Sequence, residues 1–573
     1  MITKRLASLA TLVVAAGLAL TGCSTGGDPV ASPSEPAPTT SAPEQTTEAP
    51  PVVNAPVLSF AKPDGPQSNN SNPFVTTSAA RGLGYAYAMY EPLVIDNTLD
   101  PAATPAPWLA SAYKWADDYS SVTFTVREGV KWTDGQPLTA DDVAFSIQLR
   151  KDNPAINGEN LPYKDITTSG NDVTVSFTEP QFVNMHKVYS LFIVPKHIWS
   201  AFTDPAAEMN QNPVGTGPYI LDNWTQQAVI FKANPDYWGG KPAVETIQYQ
   251  SLNDNTALTN ALVAGEIQWG WGFIANFDSV FTSKDPKYVS WFPSGLAFDG
   301  LWFNCARAPF DNVALRQAIS MVIDRQTLST IGSTGAAAPI TSVTGLPLPV
   351  GESFITADYK GKSFTTDIEG AKKVLTDAGY TGVGEAKGLK DPSGNAVKAT
   401  LAVPSGWNDY QAELQIIGDA MATNLGVDVT IEAPTADAWF ADIALGNFDA
   451  TLHWTDQGST PYDIYSNAMN GTYIKPLGEN VDFNFGRFDS KEATDALSAY
   501  ASAPSDADKA AALATIQKTF VEQVPVIPLL ERPSWGQYSE KYYTGWPTAA
   551  DPYANINMTW PEATLILTKL KPV

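Results

Sequence analysis

The chain has 573 residues, 44% of them apolar, and 60 aspartates and glutamates against 35 lysines and arginines give it a formal net charge of −25. That length exceeds what one hydrophobic core supports, so at least two domains are expected. The acidic balance excludes a nucleic-acid or anionic-lipid binder, since both need basic patches.

Lys4 and Arg5 precede an apolar run over 6–20 that is too short to span a bilayer, which reads as a secretion signal. It ends in Leu20-Thr21-Gly22-Cys23, a small-residue pair directly before cysteine. This resembles the lipobox of bacterial lipoproteins, in which Cys23 becomes the mature N-terminus and carries acyl chains. Acylation would leave Cys305, expected as a small buried residue, without a disulfide partner. Residues 24–54 are Ser, Thr, Pro, Glu and Ala with no aromatic, Lys or Arg, and read as a disordered tether.

Folded sequence starts near Ala55 with a strand at Val57-Leu58-Ser59-Phe60, followed by a turn-rich loop through Asn69, Asn70 and Asn72. Residues 122–127 alternate as a strand and lead to the turn signal Asp134-Gly135. Thr139 with Asp142 forms a capping-box pattern before Val143 and Ile147, one helical turn apart. Gly215-Thr216-Gly217-Pro218-Tyr219 and Asn234-Pro235-Asp236-Tyr237-Trp238 are loop sequences without the spacing of a phosphate-binding loop. A strand at 246–250, a helix through Leu258 and Leu262 stopped at Gly265, and Ile267-Gln268-Trp269-Gly270-Trp271 form a strand–helix–strand unit. Asp311 is expected to cap a helix carrying Leu315, Ala318, Ile319 and Val322 on one face. A second such unit spans 399–431. Units of this kind build helix-covered sheets, so the class is α/β.

Several stretches together resemble the extracytoplasmic solute-binding proteins of ATP-binding-cassette (ABC) importers, in the family 5 group of oligopeptide, dipeptide, nickel and oligosaccharide binders. They are Arg127-Glu128-Gly129-Val130-Lys131-Trp132-Thr133-Asp134-Gly135 with Thr139-Ala140-Asp141-Asp142-Val143, the two loop motifs above, and Pro309-Phe310-Asp311 with Arg316-Gln317-Ala318-Ile319. The resemblance runs over essentially all of 55–573. It implies a two-lobed periplasmic-binding-protein-like (type II) fold with an extra domain inserted in the first lobe. Residues 55–95, 214–300 and 526–573 would form lobe I, 96–213 the inserted domain and 301–525 lobe II, with crossings near 296–302 and 524–530. It also implies a non-catalytic monomer that closes on a solute, partners separate permease subunits, and needs no cofactor.

Ligand class is argued from side chains. The strand 448–454 ends in the loop 455–463, and open α/β sheets bind ligands at that end. In peptide-binding relatives such a loop carries an acid for the ligand's α-amino group; counting back from Pro461, that position is Gln457, with Asp456 one place off. A buried ammonium needs a carboxylate, which weakens the peptide reading. Sugars ask for apolar faces to stack on and neutral hydrogen-bonding groups. The candidates are Trp269, Trp271, Phe273 and Asn276 after one strand, Trp454, Gln457, Asp456 and Tyr462 after another, with Asn72 and Trp407 beside them. Trp269-Gly270-Trp271 also looks like the aromatic stretch at this place in oligosaccharide-binding members. An oligosaccharide is therefore expected ahead of an oligopeptide. His186, His197 and His453 lack metal-ligand spacing, so no metal is expected.

Overall fold

The computed structural model describes residues 57–65, 67–101 and 103–573. The signal, Cys23 and the tether lie outside them. Among the described residues no helix is long and apolar enough to cross a membrane.

The described strands form three main sheets. The first has seven strands, in the spatial order Tyr288–Ser290, Gln537–Ser539, Trp269–Gly270, Leu58–Lys62, Thr246–Ser251, Ala228–Ala233 and Tyr219–Trp224. Its central strand obeys the two-residue period of a sheet buried on both faces. Leu58 and Phe60 point into a core with Tyr85, Tyr249 and Trp269, while Ala61 meets Leu258 and Leu262 of the helix Asn255–Ala264 on the other side. That helix stops at Gly265 as expected, and there the backbone takes the left-handed conformation of a helix C-cap.

The second sheet runs Asp428–Glu432, Lys398–Ala402, Ala450–Trp454, Ser294–Phe303, Val526–Pro533. Leu301, Phe303, Leu401 and Leu452 pack beneath helices Val313–Val322 and Asn408–Ala420. Leu296, Phe298, Trp302 and Val526 pack on the opposite face against Ile464, Leu497 and Ile516. A third sheet, in the order Ala110–Trp115, Ser121–Val126, Asp172–Phe177, Tyr163–Ser169, sets Val122, Phe124 and Val126 against the helix Ala140–Asp152. The Thr139–Asp142 capping box is present there. At the helix Val313–Val322, Asn312 rather than Asp311 is the cap, because its Oδ1 accepts the Ala314 N–H at 2.9 Å.

The chain passes between the first two sheets at 291–293 and 534–536, displaced from 296–302 and 524–530 because Ser294–Phe303 and Val526–Pro533 pair with each other inside the second sheet. The flanking Tyr288–Ser290 and Gln537–Ser539 pair inside the first. Pairing continues through the passage: Trp291 N–H donates to Gly536 O and Ser534 N–H to Pro293 O, both at 2.8 Å.

Several of the motifs prove to be structural. Glu91, 0% exposed, accepts hydrogen bonds from Trp108 Nε1 (2.7 Å), Tyr237 OH (2.7 Å) and Trp238 Nε1 (3.0 Å). Arg127 lies over the Trp238 ring and donates to Trp108 O. Gly215 and Gly217 bring their backbone against Met89, where any side chain would overlap its carbonyl. Arg316 donates to Phe310, Gln523 and Val524 carbonyls, tying one helix start to another helix end. Glu91→Ala leaves three buried donors unmet, and a loss of about 3 kcal/mol is expected. Calorimetry and limited proteolysis check this, with cleavage expected first inside 96–213.

Candidate functional site

In each of the two larger sheets the parallel strands end toward the passage segments, which places their carboxyl edges on either side of one cleft. The first edge carries Lys62, the loop to Asn72, and Trp271 to Asn276. The second carries Trp407 to Glu413, Trp454 to Tyr462, and Asp299 and Arg532 of the paired strands.

The two edges touch. Gln457 Nε2 donates to Thr98 O at 2.9 Å, and the Asn276 N–H to Thr334 Oγ1 at 3.1 Å. The Gln457 amide lies directly over Gly295, where a Cβ would overlap it. Farther out, Lys187 of the helix Met185–Tyr189 meets Asp463 at 3.2 Å, with His186 at 3.6 Å, so the 455–463 loop is held from both ends.

On the second edge, aromatic rings gather. Trp407 lies 5.3 Å from Trp439 and 6.1 Å from Trp454, with Phe440 (43% exposed) beside both. Trp454 carries the Arg532 guanidinium 4.5 Å over its ring and stacks on His453 at 4.1 Å. On the first edge, Lys62 lies 4.6 Å over the Trp271 ring, and Phe273 meets Trp535 edge-on at 5.7 Å.

Two of the candidates are engaged elsewhere. Trp269, 0% exposed, is packed among Phe60 and Trp546 in the first lobe, with its Nε1 donating to Ile556 O. The Asn72 amide, also buried, donates to Pro205 and Glu208 carbonyls and so holds its own loop. Gln457 acts across the lobes, and Asn276 is exposed with its N–H on Thr334. Trp271, Phe273, Trp407, Trp454 and Asp456 belong to the two edges, whereas Tyr462 packs against the core around Ile464 and Leu497.

Buried polar atoms without a protein partner include Trp271 Nε1, Asn69 Oδ1, Gln537 Oε1, Ser459 Oγ, Arg532 Nη1 and Glu413 Oε2, and all six belong to these edges. Arg532, Asp299, Asp409 and Glu413 were not legible as a site. The available signal was the charged pair Glu531-Arg532 closing an apolar strand, and Asp409 and Glu413 one turn apart at a helix start.

Electrostatics here are unusual. Burial pushes the carboxyls of Asp299, Asp409 and Asp456 up to about 6 and that of Glu531 to about 7. It raises Glu413 further, with the Asp409 and Asp299 charges adding to the effect. His453 is pushed down to about 3 by burial. No group of three or more His, Cys, Asp or Glu is placed to hold a metal among the described residues. A separate cavity of about 670 Å³ lined by Cys305, Arg316, Lys475 and Arg487 lies at the far edge of the second sheet. Its arginines are engaged with backbone carbonyls, and burial pushes the Cys305 thiol up to about 11.

Sequence comparison identifies the class to which this cleft belongs. The profile described as bacterial extracellular solute-binding proteins, family 5, middle, matches residues 104–475, and the chain belongs to that family. It is 28% identical to protein XP55 of Streptomyces lividans over 65% of this chain and 68% of that one. It is 25% identical to the nickel-binding periplasmic protein of Escherichia coli, over 66% and 71% respectively. A Thermotoga maritima periplasmic oligopeptide-binding protein, solved with mannohexaose bound, superposes with a TM-score of 0.78 at 26% identity, covering 90% of this chain and 98% of that one. The Bacillus subtilis protein AppA, solved with a nonapeptide, shares the fold at 20% identity and a TM-score of 0.72, over 90% and 99%. The protein is thus an extracytoplasmic solute-binding component of an ABC transporter; it works with a permease and is not an enzyme.

The raised carboxyls give a signed pH prediction. Their folded pKa values exceed the unfolded ones, so folding takes up protons, and stability falls as pH rises from about 4 through about 7. The ligand-free protein should melt higher at pH 5 than at pH 7.5. Asp409→Asn should stabilise it by about 1 kcal/mol at pH 7.5 and have a much smaller effect near pH 4. Calorimetry across that range is the check.

Proposed function

We propose that the solute is an oligosaccharide, captured between the two carboxyl edges and delivered to the permease. The observation that carries this is the pairing of half-buried tryptophans on both edges with unpartnered neutral polar atoms: Trp271 Nε1, Asn69 Oδ1, Gln537 Oε1 and Ser459 Oγ. Sugars offer apolar ring faces for the first and hydroxyls for the second. Mannohexaose in the Thermotoga maritima relative supports the same class. Stacking falls to Trp271 and to the exposed Trp407–Phe440 side of the aromatic group. Trp454 is flanked by His453 and Arg532 and orients its neighbours.

A peptide reading draws support from Asp456, which stands on the cleft loop half-buried and raised to about 6. Thermal shifts and titration calorimetry with β-1,4-linked glucose and mannose oligomers, and with mixed short peptides, decide between them. Saccharides are expected to raise the melting point; at a hundred times Kd the gain is about 2.7 kcal/mol. Trp271→Ala should weaken binding by about tenfold or more while the free protein melts almost unchanged. A shift with peptides alone overturns the saccharide reading.

We further propose that acyl chains on Cys23 hold the protein at the outer face of the cell membrane, after removal of 1–22 as a signal. Each buried methylene adds about 0.8 kcal/mol, so anchoring needs more than one chain. Cys23→Ser is expected to move the protein from the detergent phase to the aqueous phase on cell fractionation. Retention of that variant in the detergent phase would refute the anchor.

A further inference from the structure

We propose that the bound solute carries a protonated amine, received by Asp299, Asp409 and Glu413, with Arg532 donating to a neighbouring hydroxyl. This rests on the saccharide reading and narrows it to an amino sugar. Asp299 stands opposite Trp454 in the strand register, at the carboxyl edge of the second sheet. Asp409 and Glu413 are one turn apart on the helix Asn408–Ala420, whose first turn leaves that same edge. Tyr410 between them donates to Asp299.

Glu413 is 3% exposed, and its Oε2 has no hydrogen-bond partner. Its side chain packs over Gly332, two residues from the Thr334 that receives Asn276 from the first lobe, so closure roofs the cluster. Arg532 is the cation whose charge acts on Asp299. It lies over Trp454, its buried Nη1 has no partner, and it forms no ion pair among the described residues.

Three carboxyls against one guanidinium set the sign of what fits. A ligand carboxylate would meet three acids and a single cation. A neutral hydroxyl would leave the buried acids protonated, as they are without solute. An ammonium supplies three donors and a positive charge in one group, which satisfies Glu413 Oε2 and lets the buried carboxyls ionise against a partner. In the unliganded cleft burial favours their protonated forms, as expected of acids that lack a cation. The faces of Trp407 and Phe440 beside the cluster also attract a cation. The Arg532 Nη1 donor asks for an oxygen acceptor close to the amine, and an amino sugar presents both within one ring.

Calorimetric titration of the purified full chain near pH 6.5 with a β-1,4-linked glucosamine hexamer, and with the glucose hexamer of the same linkage, tests this. The amino oligomer is expected to bind about tenfold tighter or better. In Glu413→Gln and in Asp299→Asn, the ratio of the two affinities should shrink by about tenfold. Equal affinities, or a tighter glucose hexamer, overturn the amine while leaving the saccharide reading in place. Binding of short peptides with neither hexamer bound overturns the saccharide reading itself. An unchanged ratio in both variants would show that the amine, if preferred, is held elsewhere, and would overturn the assignment of these residues. Should Glu413→Gln not fold, Asp299→Asn alone gives the same decision.

Discussion

Two antiparallel segments, 288–303 and 526–539, carry the chain from one lobe to the other and remain hydrogen-bonded to each other as they cross. Such a ladder resists sliding and shear, because each displacement along it breaks several backbone bonds at once. It is weakest where donors are missing, at Pro293 and Pro533, and there it can bend across its own plane. Gly536 lets the second strand approach the Trp291 carbonyl closely at the bend. The lobes therefore have one soft direction, which swings the carboxyl edge of one sheet toward that of the other. Ligand residues must sit on those two edges or they will not gain contacts on closure.

Closure has an electrostatic cost built into it. Bringing Gln457 onto Thr98 and Asn276 onto Thr334 covers carboxyls that would otherwise be hydrated, and desolvation is the largest cause of each raised value. In an open cleft that penalty is relieved by water. A solute that supplies partners to the same groups relieves it too, and so favours the closed form beyond what its apolar contacts provide. The Lys187–Asp463 contact works in the opposite sense, since it attaches the helix Met185–Tyr189 to the helix Tyr462–Met469 whether or not solute fills the cleft.

Much of the scaffold was legible because local rules decide it. The Thr139–Asp142 capping box, the left-handed Gly265 and the alternation over 122–127 are each fixed by neighbours a few residues away. The passage between the lobes was displaced by several residues, since hydrophobic pattern alone does not say with which sheet a strand pairs. Site residues were legible only in part. Trp271 and Trp407 lie after strand ends and Trp454 at one, and all three could be nominated from that position. Trp269 has the same chemistry two residues earlier, and strand alternation does not separate them; a two-residue strand ends between them and leaves one ring inside and one at the edge. Arg532 comes from a strand distant in sequence from Asp409 and Glu413, so no spacing rule links them.

Glu91 and Glu413 show how buried acids of one type divide between scaffold and site. Both are almost wholly buried and both are pushed up by desolvation. Glu91 has a tyrosine hydroxyl and two indole N–H groups aimed at its two oxygens, so its environment is complete without any ligand. Glu562 is intermediate: one oxygen fixes Thr98, whose carbonyl takes the Gln457 amide, and the other is unmet. Glu413 has an unmet oxygen beside two further acids and no cation paired with it. Folding alone gives no reason to keep such a group, because an apolar side chain of similar size would cost less to bury. What distinguishes Glu413 is its place at the edge that closes on solute, where the missing partner arrives from outside the chain.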